Sequence, residues 1–211
     1  MRVWSASLKI TFFVNSIIGY VGNPAALYTR ALANGLAVLG NDIRVVEERQ
    51  NEPLARTLRA TGAAASRHVY ERFPLLRYST YEQRSGGPLL EWLTREVSLI
   101  DVAVAVQGVD TELARWVANI SREGLTRAFL AWDPDSIDEA RASELELEKY
   151  DLLLSPAPVA GLPCLDVRPA LAEQDLDDAI DRSLAGQLRD DLTDAIDAAA
   201  RLERTLTAHA G

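Results

Sequence analysis

The chain has 211 residues, 48% hydrophobic and 25% charged, with 12 glycines, nine prolines and one cysteine, which excludes a collagen-like, low-complexity or wholly disordered polypeptide. Cys164 stands alone and the only histidines are His68 and His209. That excludes an intrachain disulfide and leaves no zinc, haem or Cys–His nucleophile spacing, so a cytoplasmic setting is expected and no metal or cofactor is called for. The net charge of −9 sits in two acidic blocks, 133–151 and 173–204, each at −6, against +3 for the remainder; such a chain is not expected to bind nucleic acid.

Lys9–Val14 (KITFFV) reads as a buried parallel strand. The apolar stretch around it is interrupted by Asn15 and Ser16, so it is read as strand and loop rather than as a signal peptide. No uncharged run reaches the roughly 18–20 residues that a membrane span needs. A loop follows from Asn15 to Pro24. Asn23 is the expected N-cap and Pro24 the expected first helical residue. The helix Pro24–Leu39 presents Leu27, Ala31, Leu32, Leu36 and Leu39, and Gly40 is expected to end it in a left-handed conformation. Asp42–Glu47 is the second strand. Strand, helix, glycine stop and strand within about 40 residues make a βαβ unit.

The alternation continues. Helices are expected over Pro53–Thr61, Pro88–Ser98, Asp110–Ile120 and, as one acidic helix, Ser136–Tyr150. Strands are expected over Leu75–Tyr81, Asp101–Gln107, Thr126–Trp132, Asp151–Ser155 and, at an edge, Cys164–Val167. The fold class is therefore α/β: one Rossmann-like, doubly wound, mainly parallel sheet over residues 1–170. Residues 171–211 break the pattern as an acidic helical appendage. Beyond Gly186, Leu188, Leu192, Ala195, Ala199, Leu202 and Leu206 recur at heptad spacing. This seam either packs on the sheet domain or joins a partner chain or a second copy.

In an open parallel sheet, ligands bind at the carboxyl ends of the strands. That rule selects Asn15 and Ser16, Glu47 and Glu48, Gln107 and Gly108, and Asp133. Gly19 and Gly22 precede a helix N-terminus, where free N–H groups and the helix dipole favour a phosphate or carboxylate. Neither GxGxxG nor GKS/T is present, so the same loop also reads as a plain turn. Asp133 is the candidate general base, and Asp135 is either a substrate contact or a helix cap. Glu48 is placed to hold a ribose hydroxyl, and Asn15, Ser16 and Gln107 to line the substrate. Six arginines between 56 and 84, interleaved with Tyr70, Phe73, Tyr78 and Tyr81, read as an anion or ring site or as a solvated face.

The stretch LKITFFVNSIIGYVGNPAALYTRALANGLAVLGNDIRVVEER resembles the opening of GT-B glycosyltransferases: a strand, a Gly-containing loop, a Leu/Ala helix ending in Gly40, and a second strand. It looks closest to the CgeB-like, spore-maturation-type branch, on the pair Gly22-Asn23, the acid–arginine pair Glu48-Arg49, and the segments Phe129–Pro134 and Tyr150–Ser155. The similarity covers roughly residues 8–160. It implies sugar transfer from a nucleotide-sugar to a sugar acceptor. Gly19, Gly22 and Asn23 would then face the donor phosphates, and Asp133 would lie near the acceptor. The 211 residues are not expected to include the donor domain of such enzymes, so a second domain or partner chain is expected to complete the cleft. The rival expectation is a non-catalytic module that binds a small molecule or a protein.

Overall fold

A computed structural model describes residues 7–19 and 23–167, together with residues 200, 204 and 205. Gly22 and the seam residues Leu188, Leu192, Leu202 and Leu206 lie outside the described residues, as does nearly all of the 171–211 appendage.

Among the described residues, seven strands form one sheet: β1 (Lys9–Val14), β2 (Asp42–Glu48), β3 (Arg77–Tyr81), β4 (Val102–Val106), β5 (Thr126–Leu130), β6 (Leu152–Ser155) and β7 (Leu165–Asp166). Their order is β3-β2-β1-β4-β5-β6-β7, and every pairing is parallel. The fold is the α/β, Rossmann-like class that the alternation predicts. β1 is central: Phe12 pairs with Val45 on one side and Val104 on the other. The chain runs outward from β1 to β3, then crosses back to β4 and runs the other way. β1 and β4 thus flank the switch point where the winding reverses.

The period-two alternation of β1 sends Ile10, Phe12 and Val14 to one face and Phe13 to the other. The first face is covered by α1 (Pro24–Val38), through Tyr28, Leu32 and Leu36, with help from α2 (Glu52–Thr61) and α3 (Ala64–Arg72). The second is covered by α4 (Gly86–Val97), α5 (Thr111–Asn119) and α6 (Glu139–Glu144). Both faces are therefore sealed, which is what an all-parallel sheet requires. Each fully buried aliphatic or aromatic side chain contributes about 1.5–3 kcal/mol relative to exposure. Tyr28 Oη donates to the carbonyl of Val167 at 2.6 Å, fixing the chain just beyond β7 to α1. Among the described residues, no helix is long and apolar enough to cross a membrane.

Three local expectations are corrected. The single acidic helix over 136–150 is a 3-10 turn at Pro134–Ser136, the short α6, and a second 3-10 turn at Leu147–Lys149. It breaks because Ile137, Leu145 and Leu147 must all reach the core, and Glu146 turns left-handed (φ 54°) to let them. Asp138, not Asp135, caps α6: its carboxylate accepts from the Arg141 N–H at 2.7 Å. Helix α3 lies where the sequence pattern predicts no helix. Its arginines and His68 hide a face of which Val69 is the fully buried apolar residue.

Candidate functional site

Where β1 and β4 part, the molecule opens a crevice of about 70 Å³. Asn15 and Ser16 enter it from the end of β1, and Gln107 and Gly108 from the end of β4. Asn23 and Thr29 come from the start of α1, and the half-buried Trp132 closes it from beyond β5. Five of these positions, Asn15, Ser16, Asn23, Gln107 and Gly108, are ones the strand-end rule and the helix entry select. The lining side chains offer amides, hydroxyls and an indole, and no charged side chain is among them.

The wall formed by the β1–α1 loop is held from below. Glu47, buried at the end of β2, accepts the N–H groups of Ile17 at 2.6 Å and Ile18 at 3.0 Å, and its second oxygen takes Asn51 Nδ2 at 3.4 Å. The Ser16 side chain bonds to the same carboxyl. Burial pushes the Glu47 carboxyl above the ordinary range, and these hydrogen bonds partly pull it back. Ser16 Oγ also accepts the Gly19 N–H at 2.8 Å, so its polar capacity is used within the loop. Gly19 does not line the crevice among the described residues. Its α-carbon faces the start of α2, where a Cβ would stand 2.4 Å from Leu54 N and Pro53 C.

Asn23 occupies the N-cap position, yet its side chain makes no cap bond to α1. Nδ2 instead donates backward to the carbonyls of Gly19 at 2.8 Å and Ser16 at 3.5 Å. The first-turn N–H groups of α1 are therefore left without a side-chain cap. Asn15 has no hydrogen-bond partner among the described residues. Thr29 is almost wholly buried and its hydroxyl also lacks a partner. Nothing in the sequence singles out Thr29: a threonine among alanines and leucines is ordinary, and only the fold turns it to the crevice.

Gln107 is fixed in both directions. Its Nε2 donates to the Asp133 carbonyl at 3.0 Å and to Ser136 Oγ at 2.7 Å, and its Oε1 accepts the Asp133 N–H at 2.9 Å. Asp133 thus holds the Gln107 side chain through its backbone and is not itself part of the lining among the described residues. Asp135 is exposed and stands apart. Glu48 lies on the opposite face from Glu47, paired with Tyr81 across β2 and β3. Partial burial and the charge of Asp110 raise its carboxyl above the ordinary range. The candidate residues therefore separate into a neutral crevice, a buried loop anchor and three acids outside the lining, Glu48, Asp133 and Asp135. Among the described residues, no three His, Cys, Asp or Glu side chains gather as a metal-holding group. No protein-family model matches the chain, and no curated protein matches it.

Proposed function

We propose that the chain is an acceptor-side, glycosyltransferase-like domain whose switch-point crevice holds a hydroxyl group of a sugar. The observation that carries this reading is the neutral lining: amides of Asn15, Asn23 and Gln107, the Thr29 hydroxyl and the Trp132 indole, with no charged side chain. Amides and hydroxyls can both donate to and accept from a polyol, and an indole offers an apolar face. A complete small-molecule pocket encloses about 300–1,000 Å³. The crevice, at about 70 Å³, is the size of one wall of such a site. A second domain or partner chain is proposed to supply the other wall and the nucleotide-sugar.

A second reading is favoured by one observation. The carboxylates of Asp133 and Glu48 stand outside the lining, so a domain that binds sugar without transferring it fits equally well. Saturation-transfer NMR on the full chain tests the common ground, with simple saccharides and nucleoside diphosphates as probes. Saccharide signals that fall when Asn15 is changed to alanine are the expected result. Binding of nucleoside diphosphates alone, with no saccharide competing, would overturn it. Sugar transfer that appears only on mixing with a donor-binding chain would separate the first reading from the second.

A further inference from the structure

At the other end of the sheet, on the face that α4 covers, a cleft of about 490 Å³ opens at the amino ends of the strands. It arises from register. Thr11 pairs with Arg44, and Arg44 pairs with Arg77, so a hydroxyl and two guanidinium side chains stand in one row across β1, β2 and β3. The next residues on this face, Phe13 and Val46, are apolar and pack in the α4 core. Buried parallel strands ordinarily read as continuous apolar runs, so a polar row here is a departure. The last turn of α4, with Arg95 and Glu96, forms the opposite wall.

Two features point to a ligand. Thr11 is fully buried, lines the cleft, and its hydroxyl has no hydrogen-bond partner among the described residues. A hydroxyl buried unpartnered destabilises the fold, and a residue of that kind calls for an explanation outside packing. The lining also carries Lys9, Arg44, Arg77 and Arg95 against only Asp42 and Glu96. The pairs that form hold the arginines in place: Arg44 meets Glu96 at 2.5 Å and Ser79 Oγ at 3.1 Å, Arg77 pairs with Asp42, and Arg95 pairs with Glu91 at 2.9 Å.

We propose that this cleft binds the phosphate group of a small phosphate monoester, at a site separate from the switch-point crevice. The lining carries four cationic side chains against two acidic ones, the sign that suits a phosphate monoester, which carries about −1.5 to −2 at neutral pH. Guanidinium forks suit its oxygens, and the Thr11 hydroxyl supplies a donor at the base of the row. The volume lies within the range of about 300–1,000 Å³ that encloses small ligands.

The test is a titration of the full chain with glycerol phosphate at fixed ionic strength, followed by amide chemical shifts. Glycerol and sulfate serve as comparison probes. Saturable shifts around Thr11, Arg44 and Arg77 are expected, with none from glycerol. Arg77→Ala should weaken binding about tenfold, the loss of one charge-assisted contact. Thr11→Val should weaken it about fivefold, one neutral hydrogen bond, while leaving the thermal midpoint unchanged or higher. Absence of saturable shifts at the cleft would overturn the proposal. So would equal affinity for sulfate, or an unchanged affinity in Thr11→Val. A lowered midpoint in that variant would assign the hydroxyl to the fold instead.

Discussion

Glu47 holds the first wall of the crevice, and its chemistry is pH-dependent. The folded-state carboxyl is raised above its unfolded value because burial outweighs the N–H groups of Ile17 and Ile18. The folded protein therefore holds the proton to higher pH than the unfolded chain does. Its effect on stability is most favourable below the ordinary glutamate range and is lost as pH rises through the raised folded value. Glu47→Gln retains an oxygen for the loop but does not titrate. Urea midpoints of the two proteins should diverge in favour of wild type as pH falls through that window; a constant difference would refute the assignment. Gly19 gives a second prediction at this scale. A methyl there meets backbone atoms of Pro53 and Leu54 at 2.4 Å, and neither can swing aside. Gly19→Ala should cost about 1–3 kcal/mol, the range for overpacking, and urea unfolding would read it.

Among the elements, two helix caps of the same chemical kind should differ in value. Asp138 caps the exposed α6 by one bond to Arg141 N–H. Asn51 caps α2 at Leu54 N–H, 2.7 Å, and also donates to the Glu48 carbonyl at 2.6 Å and toward Glu47 at 3.4 Å, all from a buried position. Asp138→Ala should cost about 1 kcal/mol, an ordinary cap. Asn51→Ala should cost about 2–3 kcal/mol, because cap and loop anchor fail together and buried partners are left unpaired. Equal losses in denaturant melts would mean that the Asn51 bonds to β2 contribute nothing. What the sequence shows of these elements follows their dependence on local pattern. β1, β2, β4, β5 and β6 are rich in apolar and β-branched residues, α1, α4 and α5 carry apolar periodicity, and all are legible within a few residues; β3, RYSTY, is polar and is marked only by its place in the alternation. α3 and the broken 134–149 segment are set by which side chains must reach the sheet, and a single chain does not display that. The crevice is legible for the same reason as the strands: Asn15, Ser16 and Gln107 are strand ends. Asn23 is legible as the helix entry, but its backward turn and the role of Thr29 are not, because they depend on which way a side chain points.

For the molecule as a whole, the sheet separates two kinds of binding chemistry. The carboxyl end offers the N-terminus of α1 and neutral side chains, the position that doubly wound sheets favour. The amino end offers no such backbone field and relies on the guanidinium row of Arg44 and Arg77 instead. β1 runs between them. Thr11 and Asn15 are four positions apart, about 13 Å at the rise of an extended strand. Phe13 lies between, fully buried and edge-on to Trp92 at 6.0 Å, so the strand is held at its middle. Sites this far apart without shared partners normally add within about 0.3–0.5 kcal/mol. In the double variant Thr11→Val with Asn15→Ala, saccharide binding should therefore fall as in the Asn15 single variant, and phosphate binding as in the Thr11 one. The stability changes should sum. A coupling above about 1 kcal/mol would mean instead that β1 transmits strain from one end of the sheet to the other. Occupancy of the basic cleft would then act on the crevice through that strand.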